Sequence, residues 1–223
     1  MTHVLDAKGA ELRPVSAQLR SMVQQDPVVI KNAAHLHGLC GGLKSGDVTI
    51  QGDSGDYLAV LNDGAVIRVT GNAGKYVADN MTEGKVLVEG DADYGAGQYC
   101  YGGTVVIKGS AGDFAGTMNK GATIIVGGDV GDEVGTYMVG GDVVIGGDAG
   151  RNLGNYLIRG NIYIKGDWAS LGHNCKVENV AAEDSQRLEA LLAERGMAGT
   201  GKDYRKITPV SDKPFYSHEE AEQ

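Results

Sequence analysis

The feature that most constrains this sequence is a repeat with a period of 19 residues. Each copy carries an anchor glycine, which Asp or Asn follows in six of the seven copies. The anchors are Gly52, Gly71, Gly90, Gly109, Gly128, Gly147 and Gly166. A repeat this short cannot bury its apolar side chains alone, so neighbouring copies must stack. The chain is therefore predicted to wind as a coil, with repeat-turn glycines that adopt a positive φ.

Val or Ile stands two and four positions before every anchor, from Val48 and Ile50 to Ile162 and Ile164. Positions two apart lie on one side of a strand, and β-branched side chains suit a pleated, half-buried surface. A second apolar column follows five or six residues after each anchor. The pattern predicts an all-β fold: a right-handed single-stranded parallel β-helix of about seven 19-residue rungs, a rod roughly 30 Å long.

Both ends of the chain depart from the period, which predicts three segments. Residues 1–44 are predicted as an N-terminal cap, residues 45–176 as the β-helix, and residues 177–223 as a C-terminal helix and extended arm. The cap would contain a short helix at 14–24 and a strand at 27–32 that covers the open end of the coil.

The C-terminal helix is predicted from its apolar spacing. Asp184 is a candidate N-cap, Leu188, Leu191 and Leu192 would form the buried stripe, and Gly196 would end the helix. The arm that follows has no periodicity, and the sequence leaves open whether it docks or forms a loose tail.

Charge and cysteine usage narrow the class of protein. The formal net charge of −9 argues against nucleic acid or an acidic membrane surface as the main partner. No apolar run is long enough to span a membrane, and residues 1–10 do not resemble a signal peptide. The three cysteines, Cys40, Cys100 and Cys175, are unclustered, which favours a reduced, cytoplasmic setting.

Several motifs resemble ligand sites but are better explained by the repeat. A nucleotide-binding glycine loop occurs once, before a helix, whereas the pattern G-x-x-G-x-x-x-G recurs here in successive copies. Asp follows the anchor once per rung, which predicts turn-stabilising bonds rather than a row of calcium ions. His35, His37 and Cys40 form a partial metal set without a convincing fourth ligand, so a structural role is expected. No catalytic, cofactor-binding or metal residue is assigned to the chain.

One outward-facing column is apolar. Three residues before successive anchors stand Leu87, Val106, Ile125, Val144 and Tyr163. Because a continuous apolar strip on the outside of a coil marks contact with another surface, this column is the predicted partner interface. The alternative is that a terminal helix or arm of the same chain covers it.

The repeated glycine turns, with the stretch EGDADYGAGQYCYGGTVVIKGSAGDFAGTMNKGATIIVGG at residues 89–128, resemble the C-terminal glycine-motif (GXGXG) β-helix domain of the glutamate synthase large subunit. The resemblance covers about residues 45–176. The same domain is a separate subunit in formylmethanofuran dehydrogenase and in glutamate synthase-like complexes such as N-methylglutamate synthase. Chain length and the free-standing coil are most similar to the last group.

The resemblance implies a non-catalytic structural subunit in a hetero-oligomer. It would hold a glutamine amidotransferase-like subunit and an FMN-dependent, iron–sulfur synthase subunit in register and help enclose the route of ammonia or amine between them. FMN and the iron–sulfur cluster are expected in a partner subunit, and no cofactor in this chain. The alternative is the β-helix subunit of a formylmethanofuran dehydrogenase-type complex. An independent β-helix enzyme acting on polysaccharide is a third, weaker hypothesis.

Overall fold

The computed structural model describes residues 1–193 and 199–214. Within them the chain forms an 11-stranded sheet with the order β1-β2-β3-β4-β5-β6-β7-β8-β9-β11-β10. The strands are β1 (His3–Asp6), β2 (Val28–Lys31), β3 (Asp47–Gln51), β4 (Asp63–Val69), β5 (Glu83–Val88), β6 (Thr104–Ile107), β7 (Lys120–Val126), β8 (Val139–Ile145), β9 (Arg159–Ile164), β10 (Cys175–Asn179) and β11 (Arg205–Pro209). The helices are α1 (Leu12–Met22), α2 (Ala182–Ala193) and a short 3-10 helix (Gly201–Asp203).

Strands β3 to β9 confirm the predicted parallel coil. Each pairs in parallel with the next, and paired residues lie 19 positions apart, as in Ile67 with Val86 and Val105 with Ile124, except for one pair at the start of β4, β7 and β8 where the register shifts by one residue. Their inward Val and Ile side chains are at most 2% exposed. The interior is therefore a stack of nearly identical layers, and every rung uses its neighbours as both hydrogen-bond partner and packing surface.

The rest of each rung is packed by two further columns. The predicted second column is buried from Leu58 to Leu153, and Leu171 packs partly buried against it. Between this column and the strands runs a column of mostly small side chains joined by isolated parallel bridges, which begins at Ser54 and ends at Trp168. Small residues fit there because the backbones of successive rungs approach closely.

The predicted reason for the anchor glycines is wrong at six of the seven positions. Only Gly52 has a positive φ, at +98°. At Gly109 an added Cβ would lie 2.8 Å from the carbonyl oxygen of Gly90 and closer still to Asp91 Oδ1. Glycine is required at such positions because consecutive rungs leave no space for a side chain.

The N-terminal cap contains the predicted helix and strand as α1 and β2, and one strand that the sequence did not reveal. Strand β1 pairs in parallel with β2, and β2 pairs in parallel with β3. The sheet therefore continues through the boundary predicted near residue 45.

At the other end, β11 lies antiparallel between β9 and β10. The predicted arm thus docks on the coil as far as Pro209. Residues 215–223 lie outside the described part of the chain. The N-cap prediction is wrong: the Ser185 amide donates to Ala181 O, and Asp184 lies inside the first turn of α2. The predicted stop, Gly196, lies outside the described residues.

Candidate partner-docking surfaces

The outward apolar column, here called the apolar ladder, lies under α2 and Tyr204 of the same chain. Val106, Ile125, Val144 and Tyr163 are all 0% exposed, and Leu87 is partly buried at their edge. A second hydrophobic core is formed where Leu188 and Leu192 of α2 pack on them, together with Tyr204 and partly buried Leu191. The assignment of this ladder to a partner protein is therefore corrected, because α2 and Tyr204 already remove the ladder from water.

Polar side chains link α2 to strands β8, β9 and β11. The Tyr163 hydroxyl donates to Asp184 Oδ1 at 2.9 Å, and Lys206 Nζ donates to Asp184 Oδ2 at 2.8 Å. The Lys206 bond, with smaller contributions from Tyr163 and Arg187, lowers the pKa of Asp184. Arg187 also forms an ion pair with Asp142 of β8. The network fixes the register of α2 on the sheet, which packing of apolar side chains alone would not do.

The turns between the strands have an unusual backbone. Residues five, seven and nine positions after an anchor have positive φ, for example Tyr57 (56°), Ala59 (59°) and Leu61 (57°) in the first rung. The same positions are Gly95, Gly97 and Tyr99 two rungs later. Alternating left-handed residues let the amides point to both neighbouring rungs: Tyr57 N donates to Lys75 O, and Ala59 N donates to Leu39 O.

Aromatic side chains project from these turns. Tyr57 and Tyr76 stack with ring centroids 4.7 Å apart, Tyr76 and Tyr94 meet edge to face at 5.4 Å, and Tyr94 lies 5.1 Å from Phe114. Unlike the ladder, the rings are partly or largely exposed among the described residues. Sequence reasoning missed this surface, because Tyr57, Tyr76 and Phe114 occupy a slot that glycine fills only at Gly95, so no glycine pattern marks it.

Acidic side chains border the aromatic turns. Asp53 Oδ1 accepts a bond from Asn72 N at 2.7 Å, Asn72 Oδ1 accepts from Asp91 N at 2.9 Å, and Asp91 Oδ1 accepts from Ser110 N at 2.8 Å. The sequence predicted bonds within one turn, but these bonds link one rung to the next. Each Asp uses one of its two carboxylate oxygens in such a link, so its charge remains at the surface.

The floor of the same turns is polar. Asp79, Thr117 and Thr136 are at most 9% exposed. The Thr136 hydroxyl and Asn152 Nδ2 donate to the carboxylate of Glu133 at 2.8 and 2.6 Å. Burial raises the pKa of Asp79. Thr117, Thr136 and Asn152 give the turns side-chain links in addition to the backbone bonds between rungs.

The candidate metal set takes part in structural contacts. His35 Nε2 lies 3.0 Å from Ala10 O, and His37 Nδ1 accepts a bond from Asp56 N at 3.0 Å. Across the described residues no three His, Cys, Asp or Glu side chains are grouped to hold a metal ion. Burial raises the pKa of the Cys40 and Cys100 thiols to about 12, so neither is a ready nucleophile or ligand at neutral pH.

A family model described as the GXGXG motif matches residues 28–194. The match takes in β2 to β10 and α2, about three quarters of the chain. The chain belongs to the GXGXG motif family. This confirms the resemblance to the C-terminal domain of glutamate synthase and indicates a glutamate synthase-like subunit from a family that occurs in hetero-oligomeric complexes. No curated protein matches the chain.

The GXGXG family match includes α2, so the helix that covers the ladder lies within the residues that the family model spans. Neither described helix has the length and apolarity needed to cross a bilayer.

Proposed function

We propose that this chain is the non-catalytic structural subunit of a glutamate synthase-like complex, and that the complex is an N-methylglutamate synthase. The observation that carries the proposal is the family match over 28–194, which spans the whole coil and α2. The chain would hold a glutamine amidotransferase-like subunit and an FMN-dependent, iron–sulfur synthase subunit in register and help enclose the ammonia or amine route between them. The cofactors would lie in the partner subunit.

The construction of the coil supports a scaffold role. Each rung is bonded to both neighbours through its strand, its turn amides and its Asp or Asn side chain, so bending the rod would break several bonds at once. The interior of the rungs is filled by Val, Ile, Leu and Ala side chains. A rod of this kind fixes the distance between two proteins bound along it.

Thiol chemistry in the coil supports the same role. Cys40 and Cys100 are buried, and their raised pKa keeps both protonated. Burial also raises the pKa of the half-buried Cys175 thiol. The nucleophilic cysteine that a glutamate synthase needs for glutamine would therefore come from a partner chain.

The test is purification of the tagged chain from its native host, with mass spectrometry of the proteins that accompany it and an absorption spectrum of the eluate. We expect an amidotransferase with an N-terminal cysteine and a flavin protein in fixed ratio to the chain, with the visible bands of flavin and iron–sulfur. The purified assembly should form N-methylglutamate from methylamine and glutamate. A molybdopterin protein in their place would replace this proposal with a formylmethanofuran dehydrogenase-type complex, and recovery of the chain alone would overturn both.

A further inference from the structure

We propose that the turn face of the first four rungs, formed by residues 53–63, 72–82, 91–101 and 110–120, is the surface that docks a partner protein, and that the partner presents exposed arginine and lysine side chains to it. This inference rests on the proposed function, because it assigns the docking surface of the scaffold. It replaces the apolar ladder, whose side chains are buried within the chain.

The composition of the turn face is that of a protein interface. Five of the chain's ten tyrosines lie on it, and the aromatic column continues through Phe114. Tyr57, Leu61 and Tyr101 are 41%, 57% and 56% exposed, among the most exposed large apolar side chains of the described residues. Tyrosine is enriched in protein interfaces because a rigid ring gives a large contact area at low entropic cost, with a hydroxyl that can bond.

Backbone conformation gives a second, independent reason. Tyr57, Tyr76, Tyr99 and Phe114 have φ between 56° and 61°, a region that large side chains rarely adopt. Glycine satisfies the slot of Tyr57, Tyr76 and Phe114 at Gly95 without strain. The repeat imposes positive φ on these positions whatever residue fills them, as at Glu133 and Asn152, so the backbone does not require a ring there; strained positions of this kind concentrate at functional sites.

The charge of the turn face indicates which side chains a partner would present to it. Six acidic side chains of the four segments are exposed or partly exposed, at Asp53, Asp56, Asp63, Asp91, Asp93 and Asp113, against two basic ones, Lys75 and Lys120. The chain itself already places a cation on this surface, because Lys120 Nζ lies 3.7 Å from the centre of the Tyr101 ring. Arginine suits such a surface best, because it stacks on aromatic faces and pairs with carboxylates at the same time.

The first test removes rings without disturbing the backbone. In Tyr57→Asn with Tyr99→Asn, asparagine tolerates positive φ, so the Tm should stay within about 3 °C of wild type. The matched control is Val66→Thr, which changes another exposed apolar side chain, 45% exposed on β4, outside the turn face. We expect affinity for the purified partner subunits to fall by at least about tenfold in the tyrosine variant, as for an interface hot spot, and not in the control.

The second test removes charge. Asp53→Asn with Asp113→Asn keeps the oxygen that accepts the next rung's amide, as Asn72 does naturally, and loses two negative charges. The association rate should fall and become less sensitive to salt, since a rim charge acts mainly on the rate of encounter. A variant with the wild-type rate and salt dependence would remove the basic-partner part of the inference.

Capture of the partners separates the two proposals. If the wild type and the tyrosine variant retain the amidotransferase and flavin subunits equally, the docking inference is overturned and the proposed function stands. If the wild type retains a different enzyme and the tyrosine variant loses it, the docking surface stands and the proposed function falls. If the wild type retains no protein, both are overturned.

Discussion

Substituting Ile125 with Asp should release α2 from the sheet while the coil stays folded. Ile125 is 0% exposed, in the ladder between Val106 and Val144, and it belongs to the hydrophobic core that α2 completes rather than to the core inside the rungs. Because the two cores lie on opposite faces of the sheet, a charge at position 125 acts on the outer core alone.

The free-energy cost of keeping α2 docked in the Ile125→Asp variant follows from the burial of this position. Loss of a buried Ile side chain costs about 2 to 3 kcal/mol. A buried carboxyl whose pKa rises by roughly three units adds about 4 kcal/mol at pH 7, at 1.36 kcal/mol for each unit. The sum, about 6 kcal/mol, is comparable to the whole stability of a small domain. Undocking of α2 avoids it, so undocking is the expected response.

Hydrogen exchange read by mass spectrometry checks this result. In Ile125→Asp, peptides from 182–193 should lose protection, while peptides from β4 and β5 keep it, as should those from β11, whose Ile207 packs in the core inside the rungs. Ile125→Val is the control, because it costs about 1 kcal/mol and leaves an apolar side chain under the helix. Full protection of 182–193 in the Asp variant would refute the claim that α2 depends on packing against Ile125. Loss of protection throughout the coil would show that the two cores unfold as one unit.

Other consequences are open to simpler measurements. Gly109→Ala should destabilise the coil by about 2 kcal/mol or more in urea unfolding, because its Cβ would meet the preceding rung; wild-type stability would show that the rungs can separate. Asn119→Ala should cost a similar amount, about 2 kcal/mol, by leaving the buried amide and carbonyl of Ala122 without their bonds, and a loss below about 0.5 kcal/mol would contradict that. The folded-state pKa of Asp184 is lowered, so its pairing stabilises α2 above the unfolded pKa of about 3.9, and this stabilisation is lost as the pH falls through the folded value. The exchange protection of α2, corrected for intrinsic rates, should therefore be flat from about pH 7 to 5 and fall below about 4. Cys100 should resist iodoacetamide at pH 8 in the folded chain and react in urea, because a pKa of about 12 leaves about one thiolate in 10⁴; rapid labelling without denaturant would show that the rung opens.

The rungs could be predicted because the period ties each residue to its equivalent in the next copy. Val and Ile columns such as Ile67 and Val86 must leave water together, and only parallel stacking achieves this for every copy. Strands β1, β10 and β11 could not be predicted in this way. Each occurs once, and pairing at the ends of the sheet depends on which edge a segment reaches rather than on its own pattern.

The candidate surfaces were harder to predict for a different reason. Apolar residues such as Ile125 and Val144 show that a surface must be covered, but hydrophobicity does not say by what. The sequence predicted the buried stripe Leu188, Leu191 and Leu192 and the apolar ladder separately, and only the fold brings them together. The tyrosine-rich turn face was missed because positive φ at Tyr57 is invisible in a sequence that lacks glycine there.

The sequence by itself therefore determined the coil. A 19-residue period with fixed Val, Ile and Gly positions leaves one way to bury its apolar columns, so local pattern and global fold coincide. The tertiary structure alone decided that α2 and Tyr204 cover the ladder and that acidic, aromatic turns remain exposed. Those outcomes depend on where two distant segments meet in space, and neither segment carries that information in its own order of residues.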